Sequence, residues 1–176
     1  MHPLIHDWNT IGVPPPPARV LLNDETLRDG LQSPSVTTPN IDRKIEILHL
    51  IEALGIDSVD IGLPGAGPHV LRDVECLAKE IVKSKLQVRP NCAARTKISD
   101  IKPIVEISQR VGVPIECCPF IGSSAIRHYT EDWSLDQLLG YTEESISFAV
   151  REGLPVMYVT EDATRADPEW VCHRTC

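Results

Sequence analysis

The stretch Asp24-Glu25-Thr26-Leu27-Arg28-Asp29-Gly30-Leu31-Gln32 packs three carboxylates, a guanidinium and an amide into nine positions. Carboxylate oxygens suit hard divalent cations such as magnesium or manganese. An adjacent guanidinium can hold a substrate oxygen that is becoming negative. A solvated charged turn is the competing account, and composition alone does not separate the two. Four later stretches carry comparable chemistry. Asp60 precedes Gly62-Leu63-Pro64-Gly65-Ala66-Gly67, whose glycines let backbone approach a ligand closely. The spacing is not that of a dinucleotide fingerprint, and a plain turn also accounts for it. Arg95 follows a third apolar segment. The run Phe120 to His128 gathers Ser123, Ser124, Arg127 and His128, a set suited to an anion or a carbonyl, with a surface position favoured for His128. Thr160-Glu161-Asp162-Ala163-Thr164-Arg165 pairs two carboxylates with hydroxyls and an arginine. One carboxylate could serve as acid or base, or simply neutralise an arginine of the site.

Each of these stretches follows a short strand-like run. Arg19 to Asn23 (RVLLN), Ser58 to Ile61, Leu86 to Val88 running toward Ala94, Pro114 to Cys118, and Pro155 to Val159 (PVMYV) read as five strands. Helical stripes lie between them. The first has apolar residues at 41, 45, 48, 51 and 54, with Thr38 as a cap, Pro39 in the first turn and Gly55 closing it. The second uses Val70, Leu71, Val74, Leu77, Ala78 and Ile81. Ser99 caps the third, which Gly112 ends. Ser134 and Gln137 form a capping box for the fourth, which Gly153 stops. Asp167-Pro168-Glu169 opens one more. Strands and helices alternating at this spacing build βαβ units and a parallel sheet. The period alone fits an open doubly wound sheet or a closed eight-fold barrel. In both, function collects beyond the carboxyl ends of the strands.

The bulk properties narrow the function classes. The chain has 176 residues and a formal net charge of -8, which argues against a nucleic-acid binder needing a basic face. The six cysteines, at 76, 92, 117, 118, 172 and 176, contain no CxxC pair. That pattern reads as reduced thiols in a cytoplasmic protein rather than a zinc ribbon or a disulfide framework. No apolar run approaches the ~20 residues of a membrane span, and the N-terminus lacks a charged-then-apolar signal pattern. Residues 1–18, with Pro14 to Pro17, read as an extended arm before a domain over 19–176.

DETLRDGLQ (24–32) resembles the first-strand signature of the isopropylmalate, homocitrate and citramalate synthase group, a signature partly shared with hydroxymethylglutaryl-CoA lyases. The likeness continues in VDIGLP (59–64), FIGSS (120–124) and TEDATR (160–165). It covers roughly residues 19 to 170. It implies a TIM (β/α)8 barrel, of which this chain holds about the first five βα units. It also implies a Claisen condensation of acetyl-CoA with a 2-oxo acid, followed by thioester hydrolysis. By the same resemblance Asp29 is a ligand of a divalent metal (magnesium, manganese or zinc). Arg28 contacts the oxo group and developing enolate, and Glu161 is a catalytic carboxylate near the substrate. Gln32, Asp60 and Thr160 match substrate-side positions, and Arg95 and Ser124, read from their places after the third and fourth strands, are further candidate substrate-binding residues. The full-length enzyme is expected to be a homodimer, with 2-oxoisovalerate, the leucine-route acid, as its first-choice substrate.

Several features depart from that pattern. Cys118 stands where many synthases carry a histidine, and Arg127-His128 replaces a nearby histidine after the fourth-strand motif. The family's His-x-His pair is missing, the six histidines being at 2, 6, 49, 69, 128 and 173. The remaining metal ligands are therefore expected beyond Cys176. An interrupted gene or a frameshift would explain a five-strand fragment, and the fragment by itself is expected to be inactive. Three further readings stay open beside isopropylmalate synthesis: a homocitrate or citramalate synthase, a carbon–carbon lyase of the same superfamily, and a non-catalytic half barrel that works by association.

Overall fold

Five parallel strands lie side by side in the order in which the chain makes them: β1 (Asn23–Asp24), β2 (Ser58–Asp60), β3 (Arg89–Arg95), β4 (Glu116–Gly122) and β5 (Val159–Glu161). They belong to a computed structural model that describes residues 19–168. The expected arm over 1–18, and the expected helix from Glu169 onward, lie outside the described residues. A doubly wound sheet reverses its strand order at a switch point. This sheet never does, and its strands curl as a half-barrel. The first five βα units of a TIM barrel have this order, so the ambiguity left by the sequence period is resolved toward the barrel.

Four helices alternate with the strands: α1 (Ile41–Ala53), α2 (Pro68–Ser84), α3 (Ile98–Val111) and α5 (Leu135–Arg151), with a short α4 (Ala125–Glu131) before the last. Side chains along a strand alternate between faces, and register partners share a face. On one face Val59, Cys92, Ala94 and Cys117 meet the apolar stripes of the helices, through Leu48, Ile51, Val74, Leu77, Ile81, Ile101 and Ile104. Full burial of each such aliphatic side chain stabilises by about 1.5–3 kcal/mol, so this layer carries the fold. The other face is of a different kind. Asp60 lies beside Asn91 and Asn91 beside Glu116, with Ala93 beside Cys118, Arg95 beside Phe120, and Gly122 beside Glu161. This inner face holds the polar groups, and the helix-packed face keeps them in register.

Some elements sit elsewhere than the sequence predicts. β1 is two residues long, and Val20, Leu21 and Leu22 before it are exposed. β3, β4 and β5 all run further toward the carboxyl side than the apolar runs suggest, so Phe120 lies within β4 and Glu161 ends β5 rather than following it. Asn40, not Thr38, caps α1, its side chain accepting from the Arg43 N–H at 3.0 Å. Lys97 precedes α3 without a side-chain cap, so Ser99 is not its cap. The capping box of Ser134 and Gln137 on α5 is present. His128 is buried on α4, not on the surface.

Candidate functional site

The loop after β1 is shaped by its own polar residues. Asp24 accepts from the Thr26 N–H at 2.9 Å and from the Thr26 hydroxyl at 3.2 Å, an Asx turn that bends the chain off the strand. The Glu25 carbonyl then accepts from the N–H groups of Arg28 and Gly30, while Leu27 plugs into the core. The result projects Arg28 over the end of β2. Its Nε donates to Asp60 at 3.1 Å and its Nη1 to Asp29 at 3.2 Å, and Nη2 lies 2.8 Å from Glu25. Three carboxylates thus hold one guanidinium.

Asp60 is 1% exposed, and its second oxygen accepts from the Gly62 N–H at 2.9 Å. Burial pushes its carboxyl up to about 7, overriding the Gly62 N–H and the Arg28 charge, with Glu25 adding repulsion. Gly62 fits this corner for two reasons. Its φ of +143° is one that side chains rarely adopt, and a Cβ there would lie 2.7 Å from Val74. Deeper in the inner face, the Asn23 side-chain oxygen accepts from Asn91 Nδ2 at 2.6 Å and from Ser58 Oγ at 2.9 Å. Cys92, Cys117 and Cys118 are buried, and that burial raises their thiols. They are neutral packing groups, not nucleophiles.

The other predicted site residues gather at the far side of the sheet. Arg95, at the end of β3, forms a two-pronged pair with the buried Asp100 of α3, at 2.6 and 3.0 Å. Glu161 ends β5, and its carbonyl accepts from the N–H and hydroxyl of Ser123 at 3.0 and 2.9 Å. Thr160 pairs with Ile121 and so faces away from the side that Glu161 shares with Gly122. Ser124 is fully buried, caps α4 by accepting from the Arg127 N–H at 3.2 Å, and bonds the Asp162 carboxylate. Burial opposes ionisation of Asp162, yet its bonds to Arg165 and Ser124 and the charges of Arg165 and Arg127 hold it below the ordinary range. Arg95 and Glu161 both line a cavity of about 530 Å³ with Phe120, Gly122, Trp133 and Tyr141.

The predicted residues therefore fall into two groups: Arg28, Asp29 and Asp60 at β1–β2, and Arg95 and Glu161 at β3–β5. Gln32 is exposed at the end of the turn Asp29–Gln32. Sequence reasoning missed Asp100, Trp133 and Tyr141. Asp100 has a signal in retrospect, an acid five residues after a strand-end arginine. The two aromatics have none, because the turn from α4 into α5 brings them to the cavity. Among the described residues no three His, Cys, Asp or Glu side chains converge as a metal site. Asp29, largely exposed with one oxygen on Arg28, is one donor and not a set.

Comparison with known proteins gives the family. The HMGL-like family matches residues 19–175. Homocitrate synthase 1 of Nostoc sp. is 31% identical over 156 residues, covering 87% of this chain and 38% of the relative. A probable 2-isopropylmalate synthase of Methanopyrus kandleri is 27% identical over 157 residues, 88% of this chain and 29% of that protein. The 2-isopropylmalate synthase of Prochlorococcus marinus (strain MIT 9515) is 32% identical over 162 residues, 88% and 28%. The chain thus spans about a third of the length of the curated relatives it matches.

Proposed function

The chain belongs to the HMGL-like family, and from that membership we propose that it carries the strand-one to strand-five part of an acyl-CoA-dependent 2-oxo acid synthase. The reaction would join the methyl carbon of acetyl-CoA to the oxo carbon of a 2-oxo acid. One C–C bond forms and the oxo oxygen becomes a hydroxyl. Water then splits the thioester, releasing free CoA and a hydroxy dicarboxylic acid. Glu161 would take the proton from the acetyl methyl group. Arg28 would donate to the oxygen on which charge develops, an interaction of roughly 1.5–3 kcal/mol net. Asp60 and Glu25 would aim that guanidinium, while Gln32 and Arg95 complete the substrate surroundings; Thr160, on the opposite side of β5, and the buried Ser124 would support the site from behind.

The observation that carries this reading is the threefold anchoring of Arg28 at the mouth of the sheet. A group held on three sides costs little reorganisation when charge develops against it. A divalent cation enters as a partner of Asp29. The described residues do not complete its ligand set, and no step above depends on it. Synthase-named relatives support condensation over the lyase direction. Among 2-oxo acids, 2-oxoisovalerate is the first choice. The homocitrate synthase relative keeps a longer dicarboxylic acid as the second reading. A cytoplasmic setting and a homodimeric whole enzyme belong to the same proposal. No helix among the described residues is long and apolar enough to cross a membrane.

The test is ligand binding by the 176-residue chain with Mg2+ present. Saturation-transfer NMR would be run with 2-oxoisovalerate, pyruvate and 2-oxoglutarate, alongside an assay for 2-oxo-acid-dependent release of CoA. Binding of one acid that disappears in Arg28→Ala supports the reading. Absence of binding by all three, or binding indifferent to Arg28→Ala, overturns it.

A further inference from the structure

The proposed chemistry uses the carboxyl ends of the strands and leaves their amino ends unexplained. A cavity of about 320 Å³ opens there, between the starts of β3, β4 and β5. Its walls are apolar: Ile81, Leu86, Val88, Pro90, Val113 and Pro155. Two charged groups border it, Arg89 and Glu116, one of each sign, so it presents no net field to an ion. The prolines at these strand starts have no N–H to offer a polar ligand. Such a lining favours an uncharged, aliphatic occupant.

A second cavity, of about 400 Å³, continues the first toward β1 and β2. Gln87 and Arg89 line both, so the two form one groove across the amino ends of the strands. Arg19 and Asp57 line its far end, paired at 3.2 Å, and Asp57 also accepts from the Leu22 N–H at 2.9 Å. The described chain therefore starts at the mouth of the groove, with residues 1–18 preceding it. The stretch Trp8-Asn9-Thr10-Ile11-Gly12-Val13, followed by Pro14 to Pro17 and Ala18, carries no charge. Consecutive prolines rise about 3.1 Å each, so four of them span roughly 12 Å. Neighbouring strands lie about 4.8 Å apart, so the step from the start of β2 to the start of β4 is roughly 10 Å. The four prolines thus have the length to carry the chain from Asp57 to the apolar cavity.

We propose that this groove is the docking site of the chain's own residues 11–17. Pro14 to Pro17 cross the amino ends of β2 and β3 over Gln87 and Arg89. Ile11 and Val13 fill the cavity between β3 and β5. Prolines make the crossing without N–H groups that would need partners, and the two aliphatic side chains match the apolar walls. The docked segment closes the end of the sheet opposite Arg28 and Glu161.

The test places a photoreactive benzoylphenylalanine at Ile11 of the 176-residue chain and maps its cross-links by mass spectrometry. The expected products join residue 11 to the segments 81–90 and 113–116 or to Pro155, within one chain. Methyl-labelled protein gives an independent readout. Ile11→Ala should shift the methyl resonances of Leu86, Val88 and Val113 and leave those of Leu138, buried outside the groove, unchanged. Pro155→Glu puts a charge at an exposed position of the wall and should abolish the cross-link with the far-ultraviolet spectrum preserved. Pro15→Gly with Pro16→Gly relaxes the extended crossing and should lower the yield severalfold. That pair lies outside the described fold, so it decides the matter even if Pro155→Glu unfolds. Cross-links running between two copies would overturn the inference in favour of an exchanged arm. Cross-links that miss the groove, methyl resonances that do not move, or a yield indifferent to the glycine pair would overturn it outright.

Discussion

Asp60 is the residue in which burial and charge oppose each other most directly. Its folded-state carboxyl titrates near 7, against 3.8 for the free group, because it is buried, with Arg28 and the Gly62 N–H only partly offsetting the loss of water. The folded state therefore holds a proton between about pH 4 and 7 that the unfolded chain has released. The resulting stabilisation is complete below the unfolded value and is lost as pH rises through 7. Asp60→Asn keeps an acceptor and removes the titration. The melting temperature of the parent minus that of Asp60→Asn should fall between pH 4 and 8, and a constant difference would refute the assignment. Gly65 offers a second residue-scale prediction. A Cβ there would lie 2.8–3.1 Å from the carboxylate of Asp100, which is also the anchor of Arg95. Gly65→Ala should cost about 1–3 kcal/mol in urea unfolding, as overpacking does, whereas Gly140→Ala, with nothing within 4 Å of its Cβ position, should cost nothing.

At the scale of elements, what could be read from the sequence depended on the physical signal. Helix stripes were legible because one apolar face repeats with the helical period. The capping box of α5 was legible because Ser134 and Gln137 stand three apart at its start. Ser134→Ala should destabilise by ~1 kcal/mol, measurable as a shift of the urea midpoint with unchanged slope. The strands were displaced for an equally physical reason. Apolar runs such as RVLLN and PVMYV attract a strand reading, but half the side chains of these strands face a polar interior, so β1 and β5 are Asn23–Asp24 and Val159–Glu161. The seven-residue α4 went unread because it is too short to show a stripe. Within the candidate site, the Arg28–Asp29 motif announced itself by composition. The partnership of Arg28 with Asp60 spans 32 residues, and only the parallel pairing of β1 with β2 brings the two together.

At the scale of the molecule, the described sheet has two open edges, since β1 pairs only with β2 and β5 only with β4. Beside β1, Val20, Leu21 and Leu22 are 65%, 51% and 54% exposed, an apolar strip next to the open edge of the described sheet. Such an edge is a template for association. The net charge of -8 works against it by mutual repulsion between copies. The balance between these two terms makes a prediction that salt can read. Sedimentation velocity of the 176-residue chain should show an average size that grows with concentration. It should grow further in 0.5 M NaCl, where the Debye length shrinks to about 4 Å and repulsion fades while apolar contact remains. Leu21→Lys, placing a charge on the strip, should reduce association at both ionic strengths. If association instead weakened in salt, ion pairs would be its cause. A parent chain that stayed monomeric throughout would mean that the exposed strip beside β1 is covered within the chain itself.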